Sequence, residues 1–312
     1  MGAYTVGIIG LGKIAHDQHL PSIAKNPAFR LAAITSQRGL GVDGVPTFRT
    51  PEAMYAALPD LDAVAICTPP QVRYETARNA LAAGKHVMLE KPPAATLTEL
   101  HELARFADEK KRVLFTTWHS QYNAGVAAAK QALAGRTVTR LAVNWKEDVR
   151  RWHPGQTWIW TSGGFGVFDP GINALSIVTR IMPSPVFVHS ADLTFPSNCD
   201  APIAAKLTFH AGDGQARDLG AVFDWRQTGP QTWEIIVETS DGKRIHLENG
   251  GAKLTIDGKR VVEEPQTEYE QIYARFAEIL DAGTSDVDPS PLRLVADAFL
   301  VGRRIETEPF IE

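Results

Sequence analysis

The sequence predicts an α/β protein. An N-terminal doubly wound (Rossmann) parallel sheet is followed by a C-terminal α+β domain with a large, mainly antiparallel sheet. Over roughly the first 120 residues, short apolar runs alternate with helical patterns, which is how βαβ units read. The first run, Tyr4–Ile9, leads directly into Gly10-Leu11-Gly12-Lys13-Ile14-Ala15, a fit to G-x-G-x-x-G/A between a strand and a helix. Further along, the pattern changes to successive strands separated by short turns, as in an antiparallel sheet. At 312 residues the chain is too long for one typical core, so two domains are expected, residues 1–120 and 121–312.

In the first domain, strands are expected at Tyr4–Ile9, Arg30–Thr35, Asp62–Cys67, His86–Leu89 and Val113–Thr117. Helices are expected at Pro51–Leu58, with proline at the first position, at Val72–Ala83, capped by Gly84, and at Thr98–Lys110, with Thr98 as N-cap. In the second, a helix over Ala124–Ala134, weakened by Gly125, precedes strands at Thr137–Trp145, Val186–Leu193, Ile203–Phe209, Leu219–Trp225, Thr232–Thr239, Lys243–Leu247 and Lys253–Ile256. Ser240-Asp241-Gly242-Lys243 is a hairpin signal. Helices over Glu270–Ala282 and Leu292–Arg304 close the chain. Helices on one side of a broad sheet leave its other face to be covered, and a homodimer would do that.

Several classes are disfavoured at once. The net charge is −4 with no basic block, unlike a nucleic-acid-binding protein. No run approaches the ~20 apolar residues of a membrane span. The first residues carry neither a basic region nor a long apolar stretch, so no secretory leader is expected. Cys67 and Cys199 are far apart and lack metal-ligand spacing, which favours a reducing cytoplasm and no metal.

The glycines of Gly10–Ala15 permit a tight turn and close backbone approach to a pyrophosphate on a helix N-terminus, so Gly10, Gly12, Lys13 and Ile14 are candidate cofactor contacts. An NAD site usually places an acid after the second strand. Here the chain reads Ser36-Gln37-Arg38, and Ser36 and Arg38 suit a 2′-phosphate instead, so NADP is favoured with NAD also accepted. Thr68 and Pro69 end the third strand. Glu90-Lys91-Pro92-Pro93 ends the fourth, because proline cannot donate to a ladder. Lys91 is thereby held at the carboxyl edge of the sheet, where ligands of open α/β sheets bind. His119 follows the fifth strand.

Four of the seven tryptophans, Trp145, Trp152, Trp158 and Trp160, lie between residues 145 and 160 among Lys146, Glu147, Asp148, Arg150, Arg151 and His153. Flat aromatic faces beside ionic hydrogen-bonders suit a sugar, and equally suit core or lid packing. The run from Gly163 to Asn173 reads as a flexible glycine stretch entering a helix. Asp169 would be its N-cap, and Asn173, four residues on, would share its face.

These motifs together, Gly10–Ala15, Thr68-Pro69-Pro70, Glu90-Lys91-Pro92 and Gly163-Gly164…Asp169-Pro170-Gly171-Ile172-Asn173, resemble the glucose–fructose oxidoreductase/inositol dehydrogenase (Gfo/Idh/MocA) family over essentially the whole chain. Trp145–Gln156 and Gly166–Leu175 are most similar to its aldose 1-dehydrogenases. The resemblance implies NAD(P)-dependent oxidation of C1 of an aldose such as L-arabinose or D-galactose to the lactone. It implies catalytic roles for Lys91, Asp169 and Asn173, with Glu90 and Lys91 also at the cofactor, and a sugar pocket lined by His119, Glu147, Trp152, Asp169, Asn173 and Trp233. The family often has His at the position of Asn173 and Asn-His at Pro70-Gln71, so these departures favour Asp169 as the base. A cyclitol dehydrogenase, an aldose–aldose oxidoreductase or a non-catalytic NADP-binding sensor are the rival readings.

Overall fold

The computed structural model describes residues 2–214, 217–265 and 267–312. It divides into two compact units: residues 1–119 with 268–289, and residues 120–267 with 290–312.

The first unit carries a six-stranded parallel sheet in the order β3-β2-β1-β4-β5-β6. Its strands are β1 (Tyr4–Ile9), β2 (Phe29–Thr35), β3 (Thr47–Phe48), β4 (Ala63–Ile66), β5 (His86–Leu89) and β6 (Leu114–Thr116). Strands β4 and β6 are buried throughout, which explains the unbroken apolar run of β4. The crossover helices are α1 (Leu20–Lys25), α2 (Pro51–Ala57), α3 (Pro70–Ala82) and α4 (Leu97–Lys110). The cap of α4 is Thr96, not the expected Thr98. Its side chain accepts the Glu99 amide at 3.2 Å while the Glu99 carboxylate accepts the Thr96 amide at 3.1 Å. Of the two threonines, only Thr96 stands three residues before an acid, as this reciprocal pairing requires.

Residues 268–289, expected in the C-terminal domain, pack in this first unit. The long helix over Glu268–Ala282 buries Tyr269, Ile272, Tyr273, Phe276, Ile279 and Leu280. Phe276 stacks on Phe29 and Phe115, with ring centroids 5.7 and 6.0 Å apart. The next segment adds Asp286 to the free edge of β6, with the Thr116 amide donating to the Asp286 carbonyl at 3.1 Å. A helix whose partners lie 150 residues or more upstream gives no local sign of which sheet it will cover.

The second unit is a nine-stranded sheet in the order β14-β13-β12-β11-β7-β10-β9-β8-β15. In chain order it is formed by α5 (Ala124–Leu133), β7 (Val138–Lys146), α6 (Val149–Trp152), α7 (Phe168–Ile181), β8 (Val186–Pro196), β9 (Ala204–Ala211), β10 (Asp218–Asp224), β11 (Thr232–Thr239), β12 (Arg244–Glu248), β13 (Lys253–Ile256) and β14 (Lys259–Glu263). Helix α8 is the Glu268–Ala282 helix of the first unit. Helix α9 (Ser290–Val301) and β15 (Gly302–Thr307) complete the second. Pairing is antiparallel except for β7 with β10 and β8 with β15. The expected hairpin joins β11 and β12, with Gly242 at φ 84°.

Two expectations fail here. Helix α9 does not run on to Arg304 but ends at Val301, and a Cβ at residue 302 would sit 2.4 Å from the Ala298 carbonyl and 2.7 Å from Leu193. Gly302 lets the chain pass, and the following residues pair with β8 instead. The 163–166 run is compact rather than flexible: Cβ atoms at Gly164 and Gly166 would lie 2.4 and 2.3 Å from the Trp158 and Pro202 carbonyls. Gly171 likewise lets α7 pack on Phe223, whose ring would be 3.2 Å from a Cβ there.

Candidate functional site

In the first unit the glycine turn crosses the end of β1. Gly10 has φ 93°, and a Cβ on it would come within 3.2 Å of the β4–α3 turn at Cys67 and Thr68. A side chain at Gly12 would meet nothing within 4 Å. The helical backbone begins at once, with the His16 amide donating to the Gly12 carbonyl at 3.1 Å. Open space above a glycine at a helix start is what a pyrophosphate needs. Thr68 Oγ1 is buried with no hydrogen-bond partner among the described residues, so its hydroxyl is available to a ligand. Lys13 is exposed and paired with Asp17, while Ile14 and Pro69 flank the turns.

Directly after β2 the chain carries no acid, and Asp43 lies further along the glycine-rich loop. Ser36 is buried and its Oγ accepts the Leu40 amide at 3.1 Å, fixing the loop. Arg38 is exposed. A second arginine, Arg49, packs over Gly39 and donates to the Gln37 carbonyl at 2.6 Å, adding positive charge the sequence reading did not single out. These groups fit NAD(P): the glycine turn and Thr68 for the diphosphate, and Ser36 with the arginines for the ribose end.

Glu90 lies at the end of β5, 3% exposed. One carboxylate oxygen accepts Tyr269 Oη at 2.7 Å and lies 3.0 Å from His19 Nε2; the other accepts the Lys91 amide at 3.0 Å. His19 Nδ1 is in turn 2.8 Å from Tyr273 Oη. Burial alone would raise the Glu90 pKa, but the hydrogen bond and charge of His19, with His119 and Tyr269, hold it at about 2. Burial opposes charge on His19 as well, yet Cys67, Tyr273 and Glu90 around the ring raise its pKa well above the ordinary imidazole value. Burial and the neighbouring Glu90 push the Tyr269 hydroxyl well up, so it stays a donor.

A further residue of this region escaped the sequence reading. Arg73, on α3 and 3% exposed, donates to the carbonyls of Thr68, Glu90 and Pro92. One guanidinium therefore ties together both strand-end turns, and the peptide before Pro92 is cis. His119, expected at the sugar, sits with Nδ1 3.2 Å from Glu268 Oε2 and its ring stacked on Tyr269.

In the second unit, Asp169 is 4% exposed and lies inside the first turn of α7. It is not the N-cap. The helix begins at Phe168 behind Val167, and the Asp169 amide is already bonded to the Gly166 carbonyl at 2.8 Å. Glu147, 5% exposed, accepts the indole N–H of Trp225 at 3.2 Å and of Trp233 at 2.9 Å. Trp152 packs edge-on against Trp233 and donates to Gln231 at 3.3 Å. Between the two carboxylates stands His153: Nε2 is 3.6 Å from Asp169 Oδ2 and 3.9 Å from Glu147 Oε1. Of the residues that the resemblance implies for a sugar pocket, Glu147 and Trp152 both contact Trp233, His153 stands between Glu147 and Asp169, and Asn173 follows Asp169 by one turn, half-buried. Trp225, Gln231 and His153 were not singled out. His153 stood in the tryptophan-rich segment, but nothing local distinguished it from its charged neighbours.

The glycine turn and Thr68 at the strand ends of the first unit make an edge suited to a dinucleotide. Residues 4–118 match the GFO_IDH_MocA oxidoreductase family, with its NAD-binding Rossmann fold. The chain is 45% identical to galactose 1-dehydrogenase of Pseudomonas fluorescens, over 98% of both proteins. It superposes on the crystal structure of a D-galactose-1-dehydrogenase from Rhizobium etli with a TM-score of 0.94, at 55% identity, covering 100% of this chain and 99% of that one. A 3-ketoreductase from Actinomadura kijaniata in complex with NADP shares the fold at a TM-score of 0.80 and 18% identity, over 98% of this chain and 100% of that one. The chain belongs to the Gfo/Idh/MocA oxidoreductase family. It is an NAD(P)-dependent enzyme.

Proposed function

We propose that this enzyme oxidises the C1 hydroxyl of an aldose to the lactone, acting on D-galactose and L-arabinose with NADP favoured over NAD. The observation that carries the reading is the Glu147–Trp233–Trp152–Asp169 cluster. It provides indole faces for sugar C–H groups and fixed carboxylates for hydroxyls. The full-length identity to galactose 1-dehydrogenase supports the sugar class.

The nicotinamide supplies the hydride acceptor when bound. Lys91 donates a hydrogen bond to the C1 oxygen and stabilises its developing negative charge. Asp169 accepts the hydroxyl proton, Asn173 orients the sugar, and Glu90 fixes the Lys91 backbone through its amide. Steady-state kinetics over L-arabinose, D-galactose, D-fucose, D-xylose and D-glucose, each with NADP and NAD, test the assignment. D-Galactose and L-arabinose should give the highest kcat/KM, and Asp169→Asn should lower kcat about 10²–10⁴-fold. Near-normal turnover in Asp169→Asn would sink the choice of base.

The same reading includes a homodimer. In β9 the exposed side chains alternate with buried ones, leaving a solvated sheet face, and Phe299, Leu300 and Val301 of α9 are exposed beside β8 and β15. Light scattering at twice the chain mass is the expected result. A cytoplasmic location fits the unpaired Cys67 and Cys199.

A further inference from the structure

A cavity of about 240 Å³ lies in the second unit, lined in part by His153, Gln156, Thr157, Trp160, Asn198 and Cys199. His153 is the link between this cavity and the buried carboxylates. Its Nε2 faces Asp169 and Glu147, and its Nδ1 lies 3.4 Å from Gln156 Oε1 on the cavity wall. The ring packs against Trp225, with centroids 5.2 Å apart. Glu147 is engaged by two indole N–H donors. Arg150 and Glu312 are the charged side chains elsewhere on the cavity wall.

The chemistry creates a need for such a link. Oxidation of a C1 hydroxyl sends one hydride to NAD(P) and leaves one proton on the base. Asp169 is 4% exposed, so that proton requires a route to water before the next turnover. Gln156, as an acceptor toward Nδ1, favours the tautomer whose Nε2 lone pair points at Asp169. We propose that His153 is a positioning and proton-relay residue that acts through Asp169 and discharges the reaction's proton into this cavity. The O–H bond of protonated Asp169 breaks as an N–H bond forms at Nε2. The imidazolium then loses its Nδ1 proton to water in the cavity, and a half-turn of the ring exchanges the two nitrogens, so that the remaining N–H faces the cavity and a lone pair again faces Asp169. One proton leaves per hydride transferred, with no reagent beyond NAD(P). Catalytic hydrogen bonds are often long before substrate binds, and the 3.6 Å separation of His153 and Asp169 is of that kind.

The inference rests on the reading of Asp169 as base. The experiment compares His153→Ala, His153→Gln and Asp169→Asn across a pH series with D-galactose and NADP, with and without imidazole. His153→Ala should lose about 10²-fold in kcat with a much smaller change in KM. Imidazole should restore its rate in a saturable manner that follows the fraction of neutral imidazole, because the vacated ring adjoins open volume. His153→Gln preserves side-chain bulk and hydrogen bonding but cannot carry a proton, so it should remain slow at an unchanged melting temperature. If His153→Ala keeps kcat within twofold, or if both variants are slow and imidazole restores neither, the relay is wrong. If Asp169→Asn is inactive while His153→Gln is normal, the base stands and the relay falls. If Asp169→Asn turns over normally, the base assignment and the relay built on it fail together.

Discussion

Two buried acids, Glu90 and Asp169, show how the same side-chain chemistry is put to different uses. Glu90 is saturated: Tyr269, His19 and the Lys91 amide occupy its oxygens at 2.7–3.0 Å, and its pKa falls to about 2. A carboxylate so engaged is a poor proton acceptor and a good anchor, because moving it breaks several hydrogen bonds at once. Asp169 is equally buried, but its imidazole neighbour stands at 3.6 Å. The N-terminal cluster holds a backbone still, and in the C-terminal one an imidazole stands beside the carboxylate.

The sharpest way to break this contrast is to loosen the anchor. Arg73→Met would leave the Thr68, Glu90 and Pro92 carbonyls without their shared donor. A stability loss on the order of 3–5 kcal/mol is expected by chemical denaturation. Any folded fraction should show a lowered kcat, since the turn carrying Lys91 is no longer tied to its neighbour.

Next in size is the acid sensitivity of the anchor. The Glu90 pKa lies below its ordinary 4.5, so its contribution is fully present above that value and is lost as pH falls toward about 2. Integrated, that is about 3 kcal/mol. The His19 pKa is raised, so its contribution is present below 6.5 and is lost as pH rises through its folded value. Glu90→Gln should therefore flatten the stability curve on both limbs, measured by urea unfolding across pH. An unchanged acid limb would mean that other carboxylates govern it.

The smallest effect concerns cofactor choice. Arg38→Ala should raise the KM for NADP about tenfold and leave that for NAD within twofold, a difference of ~1.4 kcal/mol from losing one exposed cation. Equal effects on both cofactors would show that the 2′-phosphate is not read there.

Much of the anchor was legible in the sequence, because it is written in contiguous residues. Gly10–Ala15 and Glu90-Lys91-Pro92 announce strand ends through backbone chemistry that any reader of glycine and proline can follow. The partners of Glu90 were not legible. His19 is 71 residues away and Tyr269 is 179, and neither carries a local mark. Arg73 resembled any helical arginine until its carbonyl partners were in place. In the other cluster, Asp169 before Pro170 invited an N-cap assignment, since that dipeptide usually starts helices. The turn from Phe165 to Val167 had already begun the helix, and this placed Asp169 inside its first turn.

By itself, then, the sequence determined what local periodicity and backbone stereochemistry control: the alternation of strands and helices, the glycine turn, the proline-ended strand with Lys91, and the cluster of indoles and acids. Tertiary structure alone decided which helix covers which sheet, that Gly302 turns α9 into an added strand, and which donors quiet Glu90 while His153 stands beside Asp169. The physical reason is range. Dihedral preferences act over a few residues, whereas burial and hydrogen-bond saturation depend on neighbours brought together only when the chain closes on itself.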